Sequence, residues 1–335
     1  VSQETLEWLN VNTLIGFTEK RGKDAWHYRA ALQGAEPNHY PEAIPVDDVL
    51  RRLFDFEVVE VPLTYEWNGQ TFGTDRKLMV ADDNGDLLGV FKEGYQGHSY
   101  KKWLLDNVAS IIDDDLNIGS AGLLKRRAQA WVGIEMPDSL QSEGVEYRPY
   151  LIACTSFDGS LATTYKMAVQ FVECDNTLTM GLAEAGRVFK VRHSRYSNAK
   201  LTDVRNALEI VHTMGEDFAE ELAALTAWKI SEPDFNRHME LMIPEPKEEG
   251  RAMTTCKKKR AQIITLYRED ERVAPWNGTA LGVVQAYNTW NHHFQGVRGE
   301  ASRGMRNMEN VINGRFATAD EKVISTLAAV TGVAA

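Results

Sequence analysis

Three dipeptides, Asn68-Gly69, Asn84-Gly85 and Asp158-Gly159, each stand between two runs of strand-forming residues. Such pairs accept the positive φ angles of a tight two-residue turn, so each one predicts a β-hairpin and hence antiparallel pairing. Around the first two the pattern predicts strands over 57–65, 70–72, 76–81 and 87–91. Around the third it predicts strands over 128–136, 148–156 and 163–174. Elsewhere the apolar spacing is helical: residues 2–15, a capped helix after Asp47-Asp48, and 99–116 with Trp103, Leu104, Val108, Ile111 and Ile112. Beyond Leu201 it is helical at 201–230, 234–242, 253–271, 279–294, 302–312 and 318–330. Strands and helices cluster rather than alternate. The expected fold is therefore α+β, with antiparallel strand blocks flanked by helices and a helix-rich C-terminal part. The charged, Pro-bearing stretch PEPKEEGR at 244–251 divides an expected α+β core, 1–243, from a C-terminal helical region, 252–335.

The 335 residues are 43% hydrophobic and 25% charged, enough apolar material for a sizeable core. Cys154, Cys174 and Cys256 form an odd, sparse set that argues against a disulfide framework and fits a reducing compartment. The sequence has no apolar run of about 18 residues. Its first residues also lack the basic start of a signal peptide. No membrane association and a cytoplasmic location, within a host cell, are the expectations.

Catalytic signatures are weak. Asp82-Asp83-Asn84-Gly85-Asp86 has a misplaced glycine and no terminal Glu for a calcium loop, and a plain hairpin turn is the simpler reading. His238-Met239-Glu240 has the His-x-Glu half of a zinc deaminase signature without P-C-x-x-C, and reads as the polar side of a helix. The cysteines and the pair His292-His293 have no ligand spacing. The sequence contains neither G-x-S-x-G nor either glycine-rich phosphate loop, so ATP-driven chemistry is not expected. Cys174 with His193 as its base is the one thiol-hydrolase arrangement open, set against a buried structural thiol. No cofactor and no metal are expected.

Basic clusters are the stronger signal. Residues 187–205, RVFKVRHSRYSNAKLTDVR, hold six Lys/Arg against one acid in a chain of net charge -11. The candidate contacts there are Arg187, Lys190, Arg192, His193, Arg195, Tyr196 and Lys200. Two further clusters are Lys125-Arg126-Arg127, followed by Trp131, and Lys257-Lys258-Lys259-Arg260. A fourth is Tyr100-Lys101-Lys102-Trp103. Each alone is an ordinary solvated face. Together, cations with interleaved rings suit a single strand, whose phosphates they would neutralise while Tyr196 and Trp131 stack on bases.

Ser156-Phe157-Asp158-Gly159-Ser160, the stretch 170–178 ending Cys174-Asp175-Asn176-Thr177-Leu178, and Arg192-His193-Ser194 line up with one family. The chain resembles the phage/plasmid-like proteins of domain-of-unknown-function family 932. These carry an S-x-D-G-S turn, a V-C-x-N-T-L strand end and an R-H-S/T motif before a long helix. Ala25-Trp26-His27, Gly278-Thr279-Ala280 and Ala286-Tyr287-Asn288 also match, whereas Glu173 departs from the pattern. The resemblance implies a mobile-element protein and names no chemistry. In outline the expected core is similar to phage single-strand annealing proteins. The resulting expectation is a single-stranded DNA-binding or annealing protein acting in recombination or replication as a homo-oligomeric ring or filament. The alternatives are a phage structural or host-interaction protein, and a thiol-dependent hydrolase or nuclease.

Overall fold

A computed structural model describes residues 3–22, 25, 28–112, 116–136, 138–171, 177–178, 188–191, 218–297 and 303–333. In chain order the first elements are α1 (Gln3–Asn12), β1 (Thr13–Ile15), α2 (Thr18–Arg21) and α3 (Val46–Leu53). Then come β2 (Val58–Trp67), β3 (Gln70–Ala81), β4 (Leu87–Lys92) and α4 (Tyr100–Trp103), which runs into a π-helical turn, Leu104–Val108. The remaining strands are β5 (Asn117–Leu124), β6 (Gln129–Glu135), β7 (Leu140–Ser142), β8 (Val145–Ser156), β9 (Thr163–Phe171), β10 (Thr177–Leu178) and β11 (Val188–Val191). The helices that follow are α5 (218–227), α6 (Glu232–Met242), α7 (Arg251–Glu269), α8 (Ala280–Thr289), α9 (Arg303–Ile312) and α10 (Arg315–Thr331).

All strand pairings are antiparallel, as the turn signals require. One sheet runs β1-β5-β6-β8-β9-β10, with β11 also on β9 and β7 on β8. The other is β2-β3-β4. At Asn68 and Gly69 φ is 48° and 74°, so the first hairpin closes with both central residues left-handed. The acidic stretch 82–86 is the plain β3–β4 turn, closed by a Gly85 N–H to Ala81 carbonyl bond of 2.9 Å. β3 is one 12-residue strand where the pattern suggested two. β4 pairs it only from Arg76 to Val80, so the β2–β3 ribbon continues past β4 as a two-stranded arm.

β5 was not legible because its sequence, NIGSAGLL, is small and glycine-rich. Its register explains the composition. Gly122 faces Trp131 across the pair, and a Cβ there would come within 2.9 Å of the indole. The missing side chain lets the ring lie flat on β5.

The chain divides into two compact units. One comprises 1–137, 150–167 and 185–212, the other 138–149, 168–184 and 213–335. This differs from a single cut at 244–251. In the second unit, α6 (before that loop) and α7, α8 and α10 (after it) share one core through Phe235, Met239, Ile263, Leu281, Val284, Ile324 and Leu327. The loop itself is tied down, with Arg260 donating to the Ile243 carbonyl at 2.8 Å. α8 is buried on every side, which is why its sequence is apolar with no polar stripe. The core of the first unit includes Leu14, Val49, Phe54, Trp103, Leu104, Ile118, Val132 and Ile134. Among the described residues no helix is long and apolar enough to cross a membrane.

Candidate nucleic-acid interface

Two of the four basic clusters meet within the first unit. Ser99 caps α4, its hydroxyl accepting from the Lys102 N–H at 3.1 Å. This sets Tyr100 and Trp103 inward and leaves Lys101 and Lys102 exposed. Tyr100, 2% exposed, donates its hydroxyl to the Arg127 carbonyl at 3.0 Å. Burial, with Asp158 nearby, pushes the phenol well above its ordinary pKa, so it stays a neutral donor.

The β5–β6 turn that receives this bond is unusual. Lys125, Arg126 and Arg127 have φ of 49°, 51° and 71°, three left-handed non-glycine residues in succession. Each such residue costs about 1–2 kcal/mol, so the conformation persists only where neighbours hold it. Arg127 is clamped to Asp83 by two bonds of 3.0 Å and lies 3.7 Å over the Phe56 ring. Lys125 reaches Asp158 at 3.6 Å. Arg126 is exposed and has no ion pair among the described residues.

The Ser156–Ser160 turn is the third wall. Phe157 is buried, 4.6 Å from the Tyr100 ring, and its N–H donates to the Ala128 carbonyl at 2.7 Å. Gly89 lies so close to the Phe157 carbonyl that a Cβ would collide. Asp158 accepts from the Ser160 N–H at 2.9 Å and from its hydroxyl. Nearby, Phe91 and Tyr95 stack at 3.7 Å, half-buried. His98 is held below its ordinary pKa by burial and by Lys102, and is neutral at pH 7. The exposed cations Lys101 and Lys102 on α4, and Lys125 and Arg126 on the β5–β6 turn, are thus carried by elements joined through Tyr100.

The other sequence candidates fare differently. Trp131 is 4% exposed beneath β5, so no base can stack on it. Its nearness to the cations in sequence suggests a stacking ring, but β6 is an inner strand buried along its whole length. In the second unit, Arg260 pairs with Glu245 at 2.7 Å and Lys257 with Glu249 at 3.8 Å. Lys259 lies 4.0 Å over the Trp290 ring, its pKa lowered by burial and by Lys322. Lys258 alone of this cluster opens onto a groove of about 490 Å³ with Gln262, Glu269 and Phe294. Lys190 lies in β11 opposite Thr164 of β9. Arg187, Arg192, His193, Arg195, Tyr196 and Lys200 lie outside the described residues, as does Cys174.

Cys154 and Cys256 are buried, and burial pushes the Cys154 thiol up to about 12, far from a nucleophile. His238 is not on a polar helix side: it is fully buried, edge-on to Tyr287 at 5.5 Å, with neither ring nitrogen hydrogen-bonded. Burial lowers its pKa to about 4. Among the described residues no group of His, Cys, Asp or Glu is arranged to hold a metal ion.

No curated protein and no solved structure matches the chain. The Ser156–Ser160 turn, the Gly278-Thr279-Ala280 start of α8 and β10 at Thr177-Leu178 all fall within residues 87–312, the stretch matched by the model of one family. On that match the chain belongs to the family described as domain of unknown function (DUF932).

Proposed function

We propose that the protein binds single-stranded DNA along the α4 and β5–β6 face of its first unit, and protects or anneals strands in the recombination or replication of a mobile element. The observation that carries the reading is the Tyr100 to Arg127 bond, which joins the helix bearing Lys101 and Lys102 to the turn bearing Arg126; none of the three has a carboxylate partner among the described residues. Phosphates attract such cations. The acidic remainder of a chain of net charge -11 confines a polyanion to that face. The segment that holds Arg187, Lys190 and Arg192 is expected to extend the same contact. Annealing of this kind needs no nucleotide hydrolysis.

The test is the salt dependence of oligo-dT binding. The triple variant Lys101→Ala, Lys102→Ala, Arg126→Ala should weaken binding and flatten the log–log salt slope by about 0.7 per lost contact. An unchanged slope and affinity would remove this face from the reading.

A second reading, a structural or self-assembling protein, is favoured by the β2–β3 arm. Tyr65 (55% exposed) and Trp67 (66%) stand in solvent there, and Tyr65 stacks on Phe72 at 5.4 Å. Exposed aromatics on a projecting ribbon suit contact with a further copy.

A further inference from the structure

In the second unit a polar crevice of about 430 Å³ opens where α10 begins, between α9 and the turn that follows α8. Its lining includes Asn291, Gln295, Arg306, Asn310 and Arg315, and no carboxylate among the described residues. The volume falls in the range of small-molecule sites.

Three features make this wall electropositive. Arg306 is held in place by Gln295 Oε1 at 3.0 Å and Asn307 Oδ1 at 2.9 Å, both neutral. Its Nε is buried with no hydrogen-bond partner. Arg315 is exposed and has no ion pair among the described residues. The N-terminus of the 17-residue helix α10 has Gly314 as its cap, with no side-chain acceptor, and no acid in its first turn. Its free N–H groups and dipole are therefore unneutralised. Asn310, 8% exposed, also lines the crevice.

Burial and the neighbouring Arg303 lower the Arg306 guanidinium from its ordinary value, as expected for cations held together without a counter-charge. An uncapped helix start and two guanidiniums around one cavity are complementary to a phosphate dianion.

We propose that this crevice binds the phosphate group of a small phosphorylated ligand, with Arg306, Arg315 and the α10 N-terminus on the phosphate. The amides of Asn291, Gln295 and Asn310 line the space left over and suit hydroxyl or base-edge contacts. The site lies in the second unit and does not depend on the strand-binding reading.

Calorimetric titration of the full chain with inorganic phosphate, a nucleoside 5′-monophosphate and the corresponding nucleoside tests it. Both phosphates should bind and the nucleoside should not. Tighter binding of the monophosphate than of inorganic phosphate would point to an organic ligand, and equal binding to the free ion, either upholding the site. Arg315→Gln, at an exposed position that leaves the core intact, should weaken both by about tenfold, while oligo-dT affinity stays unchanged. Asn310→Leu should weaken the monophosphate as well. Absence of binding by either phosphate, binding insensitive to Arg315→Gln, or loss of oligo-dT affinity in that variant would overturn the proposal.

Discussion

His238 shows how far a residue's setting departs from its composition. A histidine followed by Met and Glu on a helix looks polar, yet the α6 register buries it against Tyr287. With its folded pKa near 4, below the ordinary value of about 6.5, the folded state requires the neutral ring while the unfolded chain takes up a proton more readily. Stability is therefore full above about pH 6.5 and is lost progressively as pH falls toward 4, by up to roughly 3 kcal/mol. Denaturant unfolding at a series of pH values should show this slope, and His238→Phe should flatten it. Trp131 teaches the same lesson in reverse. Its neighbourhood to Lys125-Arg126-Arg127 in sequence suggests a stacking platform, but β6 is an inner strand of its sheet, between β5 and β8, with every residue buried, so the ring has no solvent side. A lone sequence does not say which strand lies inside a sheet. Lys101, Lys102 and Arg126 were legible as cations. That the helix and the turn carrying them are joined was not, because the linking bond joins residues 27 apart.

At the scale of elements, turn chemistry was the reliable guide. Asn68-Gly69, Asn84-Gly85 and Asp158-Gly159 are all turns between antiparallel strands, and helices α6 to α10 lie close to their predicted places. β5 escaped notice because its small residues serve Trp131 rather than a hydrophobic face. β1, β7, β10 and β11 are too short for periodicity to register. The predicted helix over 99–116 is realised only as α4 and a π turn, since β5 already begins at Asn117. The arm formed by β2 and β3 has a prediction of its own. If it joins copies of the chain, light scattering should show a particle larger than a monomer. Tyr65→Ser with Trp67→Ser should then shift it to smaller species without lowering the melting temperature, since neither ring is part of a core. A monomer in both proteins would end the self-assembly reading.

For the whole molecule, the charge is what matters most. A chain of net charge -11 holds several cations of its described basic clusters in local ion pairs: Lys125 with Asp158, Arg127 with Asp83, Lys257 with Glu249, Arg260 with Glu245. Exposed pairs of this kind contribute about 0–1 kcal/mol each, so they do little for the fold. They do cancel the field that a phosphate backbone would feel. Lys101, Lys102 and Arg126 on the first unit have no ion pair among the described residues, and the strand-binding account stands on them. The most direct measurement is amide hydrogen exchange of the full chain with and without excess oligo-dT at low salt. The account predicts slowed exchange at residues 99–103, 125–128 and 156–160. A bound strand that leaves those segments unchanged, or no bound strand at all, would contradict it.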